Sequence, residues 1–146
     1  MAERGARNGL GVAVPDKEEL QGFFEEMARA LTEGDAKRVA ECWAVPGLFV
    51  TDVMAAPVES HEQVREIFEA NIGLYRSKGI TATSPEIVAI HNSTARLVAV
   101  DVRWPYLDAT GTPKGEEVSS YVVWIDDEGK PRIRVGYSLG STSDPF

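Results

Sequence analysis

Ala30-Leu31-Thr32-Glu33-Gly34-Asp35-Ala36-Lys37-Arg38-Val39-Ala40-Glu41-Cys42-Trp43-Ala44-Val45-Pro46-Gly47-Leu48-Phe49-Val50-Thr51-Asp52 decides how the rest of the chain folds. Gly34 suits the left-handed cap that ends a helix, and Asp35 can cap the next helix directly. Val39, Ala40 and Trp43 would be the inward face of that second, short helix. Pro46-Gly47 stops it, and Leu48 to Val53 is short, apolar and β-branched enough for a strand that passes through Asp52. The stretch therefore predicts a helical hairpin with almost no loop, followed by a strand that delivers a carboxylate.

Upstream, Pro15-Asp16 with Glu19 three residues later is a capping-box-like start. Leu20, Phe23, Phe24, Met27, Ala28 and Leu31 then recur at helical spacing. Downstream, Ala55 to Glu59 reads as a connection. Ser60 with Gln63 is a second capping box, and Val64, Ile67, Phe68, Ile72 and Tyr75 form the stripe of a third helix ended by Gly79. After Gly79 the period becomes alternating. Ile80 to Ser84 and Ile87 to His91 predict a strand region interrupted at Pro85, and Ala95 to Trp104 predicts a long strand. On that strand Val98, Val100, Val102 and Trp104 share one face, while Leu97, Ala99, Asp101 and Arg103 share the other. Asp108 to Gly115 and Asp126 to Lys130 read as turns around a strand over Val118 to Ile125, and Ile133 to Leu139 is the last strand.

The expected fold class is α+β: three N-terminal helices packed on a strongly curved, mixed, mostly antiparallel sheet. Residues 1–14 read as a flexible arm, 15–140 as one domain and 141–146 as a tail. A formal net charge of -8 argues against nucleic acid, whose phosphates call for a basic patch. No apolar run approaches the roughly 18 to 20 residues that span a bilayer, so no membrane partner is expected. The arm lacks a long apolar centre followed by a cleavage site, which leaves a cytoplasmic location as the expectation. The lone Cys42 forms no intramolecular disulfide and has no obvious activating partner.

The order of elements, the Leu31-x-x-Gly34-Asp35 hinge, the approach from Trp43 to Asp52 and the helix after Ser60 resemble the nuclear transport factor 2-like superfamily. Its members include ketosteroid isomerase, SnoaL-type polyketide cyclases, scytalone dehydratase and limonene epoxide hydrolase. The resemblance covers Leu20 to Leu139 and is a fold-level one. It implies a cone, with a bent sheet closed by three helices around an apolar pocket, usually in a homodimer formed through the outer sheet face. It also implies a place for Asp52, where ketosteroid isomerases keep their proton-shuttling aspartate, and for Tyr121, where they keep a protonated acid in the oxyanion hole. A carboxylate at the mouth of an apolar cavity is a usable base, and a phenol can donate to an oxyanion. Met27 and Phe68 stand where that isomerase has its two tyrosines, and neither side chain can donate, which argues against steroid isomerisation.

Two functions remain on this reading. The first is a small-molecule-binding protein with an apolar cone pocket for an apolar or aromatic ligand. Here Phe23, Met27, Trp43, Phe68, Val102 and Trp104 are the candidate walls, Asp52 a catalytic base and Tyr121 a donor. Its chemistry would be a cofactor-free isomerisation, cyclisation or dehydration. The second is a non-catalytic binding or dimerisation module whose cone is filled by its own side chains. Asp101 and Arg103 read as charges of a cross-strand or dimer-interface ion pair. His61 reads as solvated and His91 as a strand-end residue. Two histidines on separate elements predict no metal site, and no cofactor is expected.

Overall fold

The structure is a computed structural model that describes residues 6–7 and 13–141. The arm expected over 1–14 therefore lies mostly outside the described residues. Its described parts, β1 (Ala6–Arg7) and β2 (Ala13–Val14), pair antiparallel. The tail lies outside from residue 142 on.

Helix α1 (Lys17–Glu33) starts where the Asp16 side chain accepts the Glu19 backbone N–H at 2.8 Å. It ends at Gly34, whose φ of 75° is the left-handed conformation expected of that glycine. Leu20, Phe24, Met27 and Ala28 are its buried stripe. Asp35 then caps α2 (Ala36–Glu41), accepting from the Arg38 N–H. Helix α3 (His61–Ser77) is capped by Ser60, which accepts from the Gln63 N–H, while the Gln63 side chain accepts from Glu59 N–H at 2.6 Å.

Six strands form the main sheet in the order β4-β3-β8-β7-β6-β5. They are β3 (Trp43–Val50), β4 (Ala55–Val58), β5 (Glu86–Ser93), β6 (Leu97–Leu107), β7 (Pro113–Ile125) and β8 (Pro131–Ser141). Only β3 and β8 run parallel. The sheet is thus mixed and mostly antiparallel, and the fold is α+β as expected. Register shifts interrupt β3/β8, β5/β6, β6/β7 and β7/β8, and such bulges bend a sheet.

Three local expectations are corrected. Trp43 opens a strand rather than closing α2: it lies opposite Ile133 of β8, whose N–H donates to the Cys42 carbonyl at 2.8 Å. The strand then passes through Pro46, after a cis peptide bond, at the register shift where a missing N–H costs no ladder bond. Gly47 is required there, since a Cβ would meet the Ala44 carbonyl oxygen at 2.8 Å. Ala55–Val58 is a strand on the β3 edge, although Ala55-Ala56-Pro57 carries little strand signal. Residues 80–84 form no named strand and join the sheet at Leu107, through the Ala82–Leu107 bridge and the Thr81 N–H to Leu107 carbonyl bond.

One core joins the helices to the inner sheet face. Phe24, Leu20, Val39 and Trp43 meet Val98, Val100, Val102, Val123 and Ile133 there. The Gln21 amide fastens α1 to the start of β5, donating to the Pro85 carbonyl at 2.7 Å and accepting from the Ile87 N–H at 3.0 Å.

Candidate functional site

Helices and sheet leave a cavity of about 330 Å³ unfilled between them. That is the lower end of the roughly 300–1,000 Å³ range of small-molecule sites. Its wall draws on α1 (Met27, Leu31), α3 (Phe68, Ile72, Tyr75), β3 (Trp43, Phe49), β6 (Trp104, Tyr106), β7 (Glu117, Ser119, Tyr121) and β8 (Ile133, Tyr137). Thr32, Arg76, Tyr137 and Ser138 are its exposed members and mark the opening.

Pairing in the sheet decides which side chains reach the cavity. Trp104 lies opposite Glu117, Val102 opposite Ser119 and Val100 opposite Tyr121, so these positions share the inner face. Tyr121 lies opposite Gly136, where a Cβ would approach both its ring and the Trp43 ring to 3.2 Å. The absent side chain is what lets two large rings lie flat against β8. Phe24 supports the wall from behind, with its ring 5.1 Å from Tyr121 and 6.1 Å from Trp104. Trp43 and Phe68 face each other at 6.1 Å, and Tyr75 and Tyr106 at 5.5 Å.

The polar part of the wall is narrow. Ser119 Oγ donates to Glu117 Oε2 at 2.9 Å, and the Ser119 hydroxyl also lies beside the Tyr121 phenol. Burial raises the Glu117 carboxyl above the ordinary glutamate value, and the Ser119 bond only partly offsets this. Burial likewise raises the phenols of Tyr75 and Tyr121, with the Glu117 charge adding to both. The Trp104 indole N–H lies near Tyr121 but, like the Trp43 N–H and the Thr83 hydroxyl, it is buried without completing a hydrogen bond.

Of the residues singled out in the sequence, Met27, Trp43, Phe68, Trp104 and Tyr121 come together on this wall. Three do not, and those expectations are corrected. Phe23 packs edge-on against Phe24 at the margin of the core, and Val102 is fully buried within it. Asp52 sits in the turn closed by the Thr51 N–H to Met54 carbonyl bond, exposed and outside the wall, although Thr51 next to it is part of the lining. Strand β3 ends at Val50, two residues before the carboxylate, so the hairpin turn carries Asp52 out into solvent.

Glu117, Tyr106 and Tyr75 were missed as site residues. Alternation from Tyr121 runs back through Ser119 to Glu117, and alternation from Trp104 runs forward to Tyr106. The expected turn over Asp108 to Gly115, a strand starting at Val118 and another ending at Trp104 stop short of both residues. Asp101 and Arg103 do not pair with each other. Asp101 accepts from His91 at 2.7 Å, and Arg103 bonds Glu86 and Glu116 across the neighbouring strands. Partial burial works to raise the Asp101 carboxyl, but hydrogen bonds from His91 and Ser120 hold it below the usual value. His61 is exposed, with Nε2 2.9 Å from the Trp43 carbonyl oxygen. The Cys42 thiol is pushed up to about 11, chiefly by burial, so it is not a reactive thiolate. Among the described residues no group of three His, Cys, Asp or Glu side chains is placed to hold a metal ion, and no helix is long and apolar enough to cross a membrane.

This architecture is that of an NTF2-like protein. The chain belongs to the NTF2-like protein family DUF6841, whose model matches residues 17–139. No curated protein matches it. Among solved structures it is similar to a domain of unknown function with a cystatin-like fold from Nostoc punctiforme, at 17% identity and a TM-score of 0.67 over 84% of this chain and 75% of that one. An NTF-2 like protein of unknown function from Shewanella oneidensis has 13% identity and a TM-score of 0.66 over 83% and 96% of the two chains. A ketosteroid isomerase-like protein from Erwinia carotovora has 12% identity and a TM-score of 0.59 over 85% and 96%. These likenesses concern the fold.

Proposed function

We propose that the protein binds one compact, largely apolar or aromatic molecule in the cone cavity. The observation that carries this reading is the cavity itself, about 330 Å³ of space in the middle of an otherwise packed core. Packed interiors leave few voids larger than a water molecule, so a space of this size across the main layers suits a ligand better than a fold that fills itself. A base at Asp52 forms no part of the proposal, because that carboxylate stands outside the wall. The test is a thermal-shift panel of one- and two-ring compounds on the native chain and on Ala82→Phe, which adds a ring at the cavity lining. Compounds that raise the Tm of the native chain should lose that effect in the variant. A panel that shifts neither protein overturns the reading.

The same proposal includes a homodimer through the outer sheet face. Leu48, Val135, Val122 and Ala99 lie in register across β3, β8, β7 and β6, an apolar row on the face opposite the helices. Beside it the guanidinium groups of Arg96 and Arg134 lie over the Trp124 ring, at 4.9 and 4.4 Å from its centre. Sedimentation giving the mass of one chain would remove the dimer from the proposal. A cytoplasmic site of action completes it, since the unpaired Cys42 suits a reducing compartment.

A further inference from the structure

Resting on the reading of the cavity as a ligand site, we infer that it selects a small organic cation, an aryl- or alkylammonium ion. Glu117 is the counter-ion and Trp104, Tyr75, Tyr106 and Tyr121 are the aromatic surround. Glu117 is the single acidic side chain among the described residues of the wall. Its hydrogen-bond donor is the Ser119 hydroxyl, and among the described residues it has no ion pair. A carboxylate withdrawn from water with one neutral donor is poorly compensated, and a cation entering the cavity would supply what is missing.

The protein's own cation there is already committed. Arg76, the one basic residue of the wall, donates to the Thr32 carbonyl at 3.0 Å and lies under Gly34, where the last carbonyls of α1 attract positive charge. The rings favour the same charge. Aromatic faces attract ammonium groups, and Tyr75 with Tyr106, and Trp104 with Tyr121, form two ring pairs at 5.5 and 6.5 Å in the lining that includes Glu117. The Glu117 charge reaches both Tyr75 and Tyr121, which sets carboxylate and rings around one volume. A net charge of -8 favours the approach of cations over anions to the protein as a whole.

The probes are benzyltrimethylammonium and neopentylbenzene, which have the same shape and differ in charge. Binding to the full chain is followed by tryptophan fluorescence, since Trp43 and Trp104 are in the wall. The cation should bind at least about tenfold tighter than the hydrocarbon. Glu117→Gln should abolish that preference, and Glu117→Asp should keep it. Equal or tighter binding of the hydrocarbon overturns the inference but keeps the ligand site. A preference that survives in Glu117→Gln overturns the role of Glu117. Absence of binding by either probe, in a chain that also gives no thermal shift with the wider panel, removes the ligand site and this inference with it.

Discussion

The β3–β4 turn and the inner face of β7 each bring one carboxylate to the neighbourhood of the cavity, and their surroundings differ completely. Asp52 is at the tip of a hairpin, flanked by exposed Val53 and Met54, where water can solvate its charge. Glu117 stands at a strand position whose direction is set by pairing with Trp104 on one side, so its carboxyl faces inward and loses hydration. The comparison shows that proximity in the fold is a weaker criterion than the direction imposed by the backbone. Thr51 lines the cavity and its neighbour does not. A strand fixes where a side chain points through its period of two, whereas a turn releases it.

The strongest test of this contrast is to remove the support of the β7 wall. Phe24 is fully buried against Tyr121 and Trp104, and Phe24→Ala should cost about 3–5 kcal/mol by denaturant unfolding. A loss below about 1 kcal/mol would mean that the wall is not continuous with the core. Gly136→Ala comes next. Its new methyl must displace the Tyr121 and Trp43 rings by a few tenths of an ångström, and overpacking of this kind costs about 1–3 kcal/mol. Ligand binding should weaken with it, and an unchanged Tm and affinity would show that the rings move freely.

Glu117→Gln gives a smaller effect with a diagnostic pH dependence. The raised folded-state pKa means that the folded chain retains a proton which the unfolded chain has already released. Stability contributed by this group is therefore full below the unfolded value and falls as pH rises through the folded one. The neutral variant should have the higher Tm at about pH 7, and the advantage should vanish at about pH 4. Tyr75 and Tyr121, which line the same cavity, remain neutral over that range, since burial raises both phenols above the ordinary tyrosine value. A lower Tm at neutral pH would contradict the burial argument. Asp52→Asn is the smallest change: stability within about 0.5 kcal/mol of the native chain and ligand affinity unaltered. A marked loss of affinity there would bring the turn back into the site.

The helices were legible because their signals are local. Asp16, Asp35 and Ser60 each satisfy an orphan N–H three residues on, and Gly34 alone could take the left-handed cap. The long strand β6 was legible from alternation alone, with Val98 to Trp104 inward as read. Two other strand segments were not. Ala55–Val58 is held as a strand by pairing with β3 and carries no strand composition of its own. Pro113 to Gly115 has turn composition, yet Pro113 lies opposite Leu107 and the hairpin extends that far.

By itself the sequence determined the α+β class, the helix boundaries near their caps and the inward face of the central strands, because these depend on spacings of two to four residues. Met27, Phe68 and Trp104 lie on periodic stripes legible in the sequence, whereas Tyr121 follows only from the family resemblance. Only the tertiary structure decided that Trp43 belongs to a strand, that Asp52 leaves the site at a turn and that Glu117 enters it. Each of those outcomes depends on which strand lies alongside, and cross-strand register is a property of chain segments distant in sequence.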